Sequence, residues 1–96
     1  MITRKEPVEF EWDRGNQDKN WQRHKVTTKE AEEVFFDRNR RIAKDFLHSK
    51  KEDRYLLIGS TTQKRKLFIV FTQRDRKIRI ISARDLNKKE YKLLKK

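Results

Sequence analysis

Residues 67–71 read Leu-Phe-Ile-Val-Phe, the longest apolar run in this chain of 96 residues. A short, uninterrupted apolar run is typical of a strand that is buried on both faces of a sheet. Two further segments rich in apolar side chains, 54–60 and 77–83, lie on either side of it. Polar or charged turns at 61–65 and 73–77 separate the three. These segments predict consecutive antiparallel strands at the centre of the fold.

The segments at the N-terminus predict a strand followed by a polar helix. Residues 8–12 alternate apolar and acidic side chains, which indicates a half-buried strand. Residues 13–25 are almost wholly polar, and we expect them to form a short helix that begins at Asp13. Only Trp21 can anchor this helix, and a helix with so little apolar surface is held by its neighbours or by a ligand.

The clearest local pattern is a capping box that Thr27 forms with Glu30. It predicts a second helix, which we expect to end near residues 37–39. Residues 41–47 are predicted to form another strand, although the polar residues within it weaken the pattern.

A closing helix is predicted at 86–95, with Asp85 as its cap and Leu86, Leu93 and Leu94 on one side. The predicted order is strand, helix, helix, three or four antiparallel strands and a C-terminal helix. This order fits an α+β domain in which the helices pack on one face of a twisted antiparallel sheet. The length fits a single domain over residues 1–96.

The charge of the chain limits the kinds of partner. It has 27 Lys and Arg against 15 Asp and Glu, a net charge of +12. So strong a field favours RNA, DNA or an acidic protein. Disulfides and Cys-based zinc sites are excluded because there is no cysteine, and no apolar run approaches the roughly 20 residues that span a bilayer. The chain shows no signal-peptide pattern, basic amphipathic helix or Gly-rich phosphate loop, so we expect a cytoplasmic protein that binds neither membranes nor nucleotides.

Four arginines, Arg54, Arg74, Arg79 and Arg84, lie in or at the ends of the predicted strands. Adjacent antiparallel strands can bring them to one face, where guanidinium groups bind phosphate through paired hydrogen bonds. Such a group could also stabilise the extra charge of a pentavalent transition state. For any single arginine, a solvated position at the end of a strand is an equally good interpretation. For the four together, phosphate binding is the better one.

His24 and His48 are the only histidines, and each could carry protons in an attack of a ribose 2′-hydroxyl on its phosphate. The spacing alone favours an ordinary surface or capping role for both. Two distant histidines do not make a metal site. The carboxylates offer no credible acid pair, and Glu9 and Glu11 are expected to face solvent or a cationic helix. Trp12 and Trp21 could each stack on a base, but burial is the stronger expectation.

The ordered motifs of the chain resemble the BrnT family of toxins, from about residue 9 to residue 91. Those of the first half are Phe10–Asp13, Asn20 with His24, Val26–Thr27, and Glu30–Ala31 with Val34–Phe35. Those of the second half are His48–Ser49, Glu52 with Arg54, Ile58–Ser60, Leu67–Thr72 with Arg74, and the most specific stretch, Arg79–Arg84.

This resemblance implies a RelE-like fold, cleavage of RNA without a cofactor and arrest of translation. It implies a BrnA-type antitoxin with a ribbon-helix-helix DNA-binding domain, operator DNA bound only through the toxin–antitoxin complex, and a toxin dimer within a heterotetramer. Lys25 stands where the family usually has glycine, which is acceptable if the backbone there does not need a positive φ. Thr28 replaces a common aromatic residue, and Arg38 a common proline.

The leading hypothesis is a metal-independent ribonuclease toxin. In it the four arginines bind the phosphate, His24 or His48 carries protons, and Lys19, Arg23 and Lys25 extend the RNA-binding surface. The first alternative is a basic RNA- or DNA-binding protein without catalysis. The second is an interaction protein whose basic face only holds an acidic partner.

Overall fold

The structure is a computed structural model that describes residues 9–45 and 52–95, with the backbone alone at 93–95. Its elements are β1 (Glu9–Glu11), α1 (Arg14–His24), α2 (Thr28–Val34), β2 (Arg41–Lys44), β3 (Arg54–Ser60), β4 (Lys66–Arg74), β5 (Lys77–Asp85) and a 3₁₀ helix (Glu90–Lys95). The predicted α+β class and the order of the elements are confirmed. The predicted end of the second strand, at residue 47, lies outside the described residues.

The strands form one sheet of five, in the order β1-β5-β4-β3-β2. Strands β2 to β5 pair antiparallel, as predicted. The edge strand β1 pairs in parallel with β5, and Glu9 lies opposite Lys77. The sheet is therefore mixed, and it has one more strand than the predicted antiparallel sheet. A three-residue strand carries too little pattern to reveal a partner almost seventy residues away in sequence.

One face of the sheet carries the core. Leu67, Ile69 and Phe71 of β4 point to this face and are fully buried, as are Leu57, Ile78 and Ile80 of the neighbouring strands. Both helices pack on it, α1 against β5 and α2 against β3 and β4. The residues that alternate with these point to the opposite face, which we call the open face. Phe68 and Val70 are only half-buried there, so the expectation that the central strand is buried on both faces was wrong.

Helix α2 begins at the predicted capping box and packs closely on β3. Thr27 Oγ1 accepts a hydrogen bond from the Glu30 backbone N–H, and Glu30 Oε1 accepts one from that of Thr27. A Cβ atom at Gly59 of β3 would lie 2.8 Å from a methyl group of Val34, so only glycine permits this approach. The helix ends at Val34, earlier than predicted, because the next N–H, at Phe35, bonds to the carbonyl three residues back.

Helix α1 is anchored by a polar residue. Asn20 is the buried residue of the helix, and its Oδ1 accepts a hydrogen bond from the backbone N–H of Ala83 in β5. Because β1 pairs with β5 only as far as Arg79, this amide lies on a strand edge that β1 does not cover. Trp21, the predicted anchor, is half exposed. The prediction failed because it counted apolar surface and missed a hydrogen bond to a free strand edge.

The last turn of α1 is joined to the sheet by what we call the Arg65 cluster. The Arg65 guanidinium donates to Asp85 at 2.7 and 3.1 Å and to Glu30 at 3.1 Å. It also donates to the backbone carbonyls of His24 and Lys25, at 2.9 and 2.8 Å. These hydrogen bonds raise the pKa of Arg65 and lower the pKa of the Asp85 carboxyl. The cluster stabilises the contact between the end of α1, the start of α2 and the end of β5.

The closing helix differs from the prediction in its length, its type and its cap. Residues 86–89 are not helical, and a short 3₁₀ helix starts at Glu90. Its cap is Asn87, whose Oδ1 accepts from the Glu90 N–H at 2.9 Å. Asp85 cannot serve as the cap because its carboxylate is bound to Arg65. Leu86 is buried as expected, whereas the side chains of Leu93 and Leu94 lie outside the described part.

Candidate functional site

The structure places all four predicted arginines on the open face. Arg54 of β3 lies opposite Thr72 of β4, and Thr72 lies opposite Arg79 of β5, so the three form one row across the sheet. Arg74 is two residues beyond Thr72 and points to the same face. Arg84 lies opposite Phe68 further along β5. Arg84 is five positions beyond Arg79, a spacing that would put it on the other face, but the shift in the β4–β5 register at Val70 and Phe71 returns it to the open face. The two arginines are about 15 Å apart along the strand. The arginines therefore divide into two groups.

Arg74 and Arg79, two members of the first group, line a hollow of about 460 Å³ at the end of the sheet where β4 turns into β5. Its lining combines four cations, four carboxylates and one hydroxyl: Arg74, Arg76, Lys77, Arg79, Glu9, Glu11, Glu52, Asp75 and Thr72. The opposite charges balance, so the hollow is not simply a cationic patch. It brings guanidinium groups, which bind phosphate, and carboxylates, which exchange protons, to the same site.

Ion pairs within and beside the hollow are long. Arg74 Nη2 lies 3.5 Å from Glu52, and 82% of the Arg74 side chain is exposed. Arg79 Nη2 lies 3.4 Å from Asp13, and both side chains are about half exposed. Contacts of this length between exposed groups contribute little to stability, about 0–1 kcal/mol. An incoming phosphate can therefore displace them at small cost.

Arg84, in the second group, is held differently. Its guanidinium donates two hydrogen bonds, of 2.8 and 2.7 Å, to the two oxygens of Glu90, and it lies 4.3 Å from the centroid of the Phe68 ring. Hydrogen bonding to Glu90 raises the pKa of Arg84 and, in return, lowers the pKa of the Glu90 carboxyl. The planar carboxylate of Glu90 occupies the position in which a phosphate would form the same paired bonds.

His24 does not lie with the first group of arginines. His24 ends α1, and its carbonyl is bound to Arg65, near the opposite end of β5 from the hollow. Its charge helps to lower the pKa of Asp85. His48 lies outside the described residues, and its role as a proton carrier stays a prediction.

The three predicted RNA-binding residues, Lys19, Arg23 and Lys25, are all exposed on α1 or at its end. Lys25 has φ = 54°, in the left-handed region that side chains disfavour. The condition under which lysine was acceptable at this position, a backbone without positive φ, is therefore not met. The Lys25 Nζ lies 5.1 Å from the centroid of the Trp21 ring.

Sequence reasoning missed the carboxylates of the hollow. Glu9 and Glu11 are exposed to solvent, as expected, and they also lie beside Lys77 and Arg79 of β5. Glu52 is the ion-pair partner of Arg74. The sequence contains both the alternating acidic residues of 8–12 and the cations of 74–79. Only the parallel pairing of β1 with β5 brings the two sets together.

No group of three or more His, Cys, Asp or Glu side chains that could hold a metal ion occurs within 9–45 and 52–95. In the same part of the chain, no helix is long and apolar enough to cross a membrane.

Comparison with known proteins identifies the family. Residues 12–90 match the family model described as the ribonuclease toxin BrnT of type II toxin–antitoxin systems. The fold is similar to the crystal structure of the Brucella abortus ribonuclease toxin BrnT, with a TM-score of 0.66 and 18% sequence identity over 85% of this chain and 100% of that one. A search of curated proteins gave no match. Because the family model covers most of its length, the chain belongs to the BrnT family of ribonuclease toxins of type II toxin–antitoxin systems.

Proposed function

We propose that this chain is a metal-independent endoribonuclease that cleaves RNA in the hollow on the open face. The observation that carries the proposal is the arrangement of Arg74 and Arg79 around a concave site that also holds carboxylates. Arg54 lies in the same row and adds a third guanidinium beside Thr72. Arginines stay charged at any working pH, so they hold a phosphate and its developing negative charge without a metal ion.

The proposed reaction is the attack of a ribose 2′-hydroxyl on the adjacent phosphorus. The 2′-oxygen loses its proton to a base, the new P–O bond forms and the P–O5′ bond breaks. The products are a 2′,3′-cyclic phosphate and a 5′-hydroxyl, which takes up a proton. Glu52 and Glu11 line the hollow and are carboxylate candidates for the base. His48 stays a candidate for proton transfer, and His24 is a weaker one because its backbone belongs to the Arg65 cluster.

Arg84 can bind phosphate only after its contact with Glu90 is broken. Two short bonds to Glu90 occupy its guanidinium. It joins phosphate binding when RNA displaces Glu90 and the 3₁₀ helix behind it. Lys19, Arg23 and Lys25 extend the cationic surface along α1, and their exposure is compatible with contacts to phosphate.

The proposal extends to the cellular role that family membership suggests. Residues 1–96 form a single RelE-like toxin domain in the cytoplasm, and cleavage of RNA inhibits translation. A BrnA-type antitoxin with a ribbon-helix-helix domain neutralises the toxin in a heterotetramer, and only this complex binds operator DNA. Expression of the chain alone should stop bacterial growth, and unimpaired growth with soluble, folded protein would contradict the toxin role.

The direct test is cleavage of a purified RNA in EDTA. Wild type should cut it and leave 2′,3′-cyclic phosphate ends, and the double variant Arg74→Ala/Arg79→Ala should not. Arg38→Ala removes an exposed arginine elsewhere on the surface and is the matched control, so it should cut normally. Tight, salt-sensitive binding without cleavage by wild type would favour the alternative, a non-catalytic RNA- or DNA-binding protein. Cleavage that EDTA abolishes would refute metal independence.

A further inference from the structure

An exposed tryptophan marks the outer face of α1. Trp21 is 50% exposed, whereas the other tryptophan, Trp12, packs against the core and donates its indole N–H to Glu32. Only 33% of the residues in this chain are hydrophobic, so it has few large apolar side chains to leave in solvent. A single exposed aromatic residue is ordinary on a protein surface. Two further observations set Trp21 apart.

The first is the conformation of Lys25. Its backbone lies in the left-handed region, φ = 54°, where glycine is favoured and a lysine side chain is strained. Its ammonium group lies over the Trp21 ring, 5.1 Å from the centroid. A left-handed residue is common at the end of a helix, and the Lys25 N–H donates to the Trp21 carbonyl at 2.9 Å. Here the strained residue is the one that places a cation on the indole.

The second observation is the charge of the helix. Residues 14–25 carry four exposed cations, Arg14, Lys19, Arg23 and Lys25, against a single acidic residue, Asp18. A flat aromatic surface among cations fits a partner with planar rings and a negative backbone. Single-stranded RNA has both features, because its bases stack on aromatic side chains while its phosphates contact Lys and Arg.

The position of Trp21 relative to the hollow gives the path of such an RNA. Asp13 caps α1 and contacts Arg79, which lines the hollow. Eight residues of helix separate Asp13 from Trp21, which is about 12 Å. At about 3.4 Å per nucleotide of a stacked strand, this corresponds to about four nucleotides. Because α1 packs on the face of the sheet opposite the hollow, an RNA whose scissile phosphate lies in the hollow passes over the sheet edge at the Asp13–Arg79 contact. It reaches Trp21 with a base at least about four nucleotides away.

We propose that Trp21, with Lys25 beside it, is a stacking platform for a base of the single-stranded RNA substrate outside the cleavage site. The inference rests on the proposed function, because it names a substrate contact remote from the chemistry. It predicts that Trp21 affects binding of longer substrates and not the chemical step. Cleavage of a dinucleotide, which cannot reach α1 from the hollow, should not depend on Trp21.

The test uses a 2′-O-methyl RNA octamer of mixed sequence, which the proposed reaction cannot cleave. Binding should quench the fluorescence of the wild-type protein. The fluorescence of Trp21→Phe, which retains only Trp12, should be nearly unchanged by the same binding. Affinity for the octamer should fall about tenfold in Trp21→Ala, in line with the loss of one base stack. Phe36→Ala removes the most exposed large hydrophobic side chain among the described residues, one whose ring lies beside Phe10 of β1, and should bind as wild type does.

Lys25→Gly is the second variant, since it relieves the strained backbone while removing the cation. It should fold at least as stably as wild type and yet bind the octamer several-fold more weakly. With a cleavable RNA of similar length, Trp21→Ala should raise KM and leave kcat unchanged. Unchanged octamer affinity in Trp21→Ala, or an unquenched wild type at saturation, would overturn the stacking platform. Loss of antitoxin binding with RNA binding intact would overturn it too and assign this face to a protein partner.

The two proposals fail in different ways. If wild type binds the octamer and is quenched but cuts no RNA, the ribonuclease function is wrong for this chain and the platform stands. If wild type cuts RNA and Trp21→Ala cuts a long substrate with unchanged KM, the platform is wrong and the ribonuclease function stands.

Discussion

The two ends of β5 use arginine in opposite ways. At the end next to the hollow, Arg74 and Arg79 make single contacts of 3.5 and 3.4 Å, and their side chains are largely exposed and about half exposed, respectively. At the other end, Arg65 and Arg84 each make a two-oxygen contact with a carboxylate, at bond lengths as short as 2.7 Å. At the end next to the hollow, which we call the open end, arginine is therefore available to a ligand. At the other, which we call the closed end, it stabilises the fold. The role of an arginine in this protein therefore depends on which groups its guanidinium contacts.

Loss of a guanidinium at the open end should have the largest effect. Arg79→Ala is expected to lower the rate of RNA cleavage about 100-fold, since it removes one donor to the developing charge. Arg84→Ala should lower it less than tenfold, because Glu90 already occupies that guanidinium. Single-turnover cleavage at saturating enzyme measures both. Equal losses in the two variants would mean that the two ends do not differ in function.

Loss of Arg65 should affect stability instead. Arg65→Ala leaves Asp85, Glu30 and two carbonyls without their donor, and we expect it to lower the free energy of unfolding by about 2 kcal/mol. Arg65→Lys keeps the charge but not the planar fork, so it should recover only part of this. Urea unfolding gives the values, with Arg74→Ala as the control that changes stability by less than about 0.5 kcal/mol. A large loss in Arg74→Ala would show that the open end is structural as well.

Release of Arg84 should make the closed end behave more like the open one. Glu90→Gln removes the charge that holds the guanidinium, and RNA affinity should then rise about threefold at low salt. The slope of log K against log salt should steepen by about one, since one more cation meets a phosphate. Titrations at several salt concentrations measure both quantities. An unchanged slope would indicate that Arg84 never reaches the RNA.

The smallest expected effect is a pH dependence of stability that arises from the closed end. Hydrogen bonds from Arg65 and Arg84 lower the pKa of Asp85 and of Glu90. Since the folded pKa lies below the unfolded value of about 4, this stability is complete above about pH 5 and is lost as pH falls through the folded pKa. Urea midpoints between pH 7 and pH 3 should fall less steeply in Asp85→Asn than in wild type. Asp18→Asn, on the exposed surface of α1, should follow wild type.

Local patterns in the sequence determined the elements. The apolar run at 67–71, the capping box of Thr27 with Glu30 and the turn residues act over a few positions, and the corresponding strand, helix start and turns are present. The period-two alternation of strands also placed Thr72 and Arg74 on the same face of β4. These features rest on short-range sterics, hydrogen bonds and side-chain periodicity. A single sequence records all three.

Which arginines are occupied, and where the carboxylates lie, depends on contacts between residues that are remote in sequence. Glu9 and Glu11 meet Lys77 and Arg79 because β1 joins the far edge of the sheet in parallel, a pairing that no local pattern specifies. Arg84 is bound because the chain turns back at Asn87 and brings Glu90 to it. Hydrogen bonds and ion pairs depend on distances of a few ångströms, and packing of the whole domain sets those distances between residues remote in sequence.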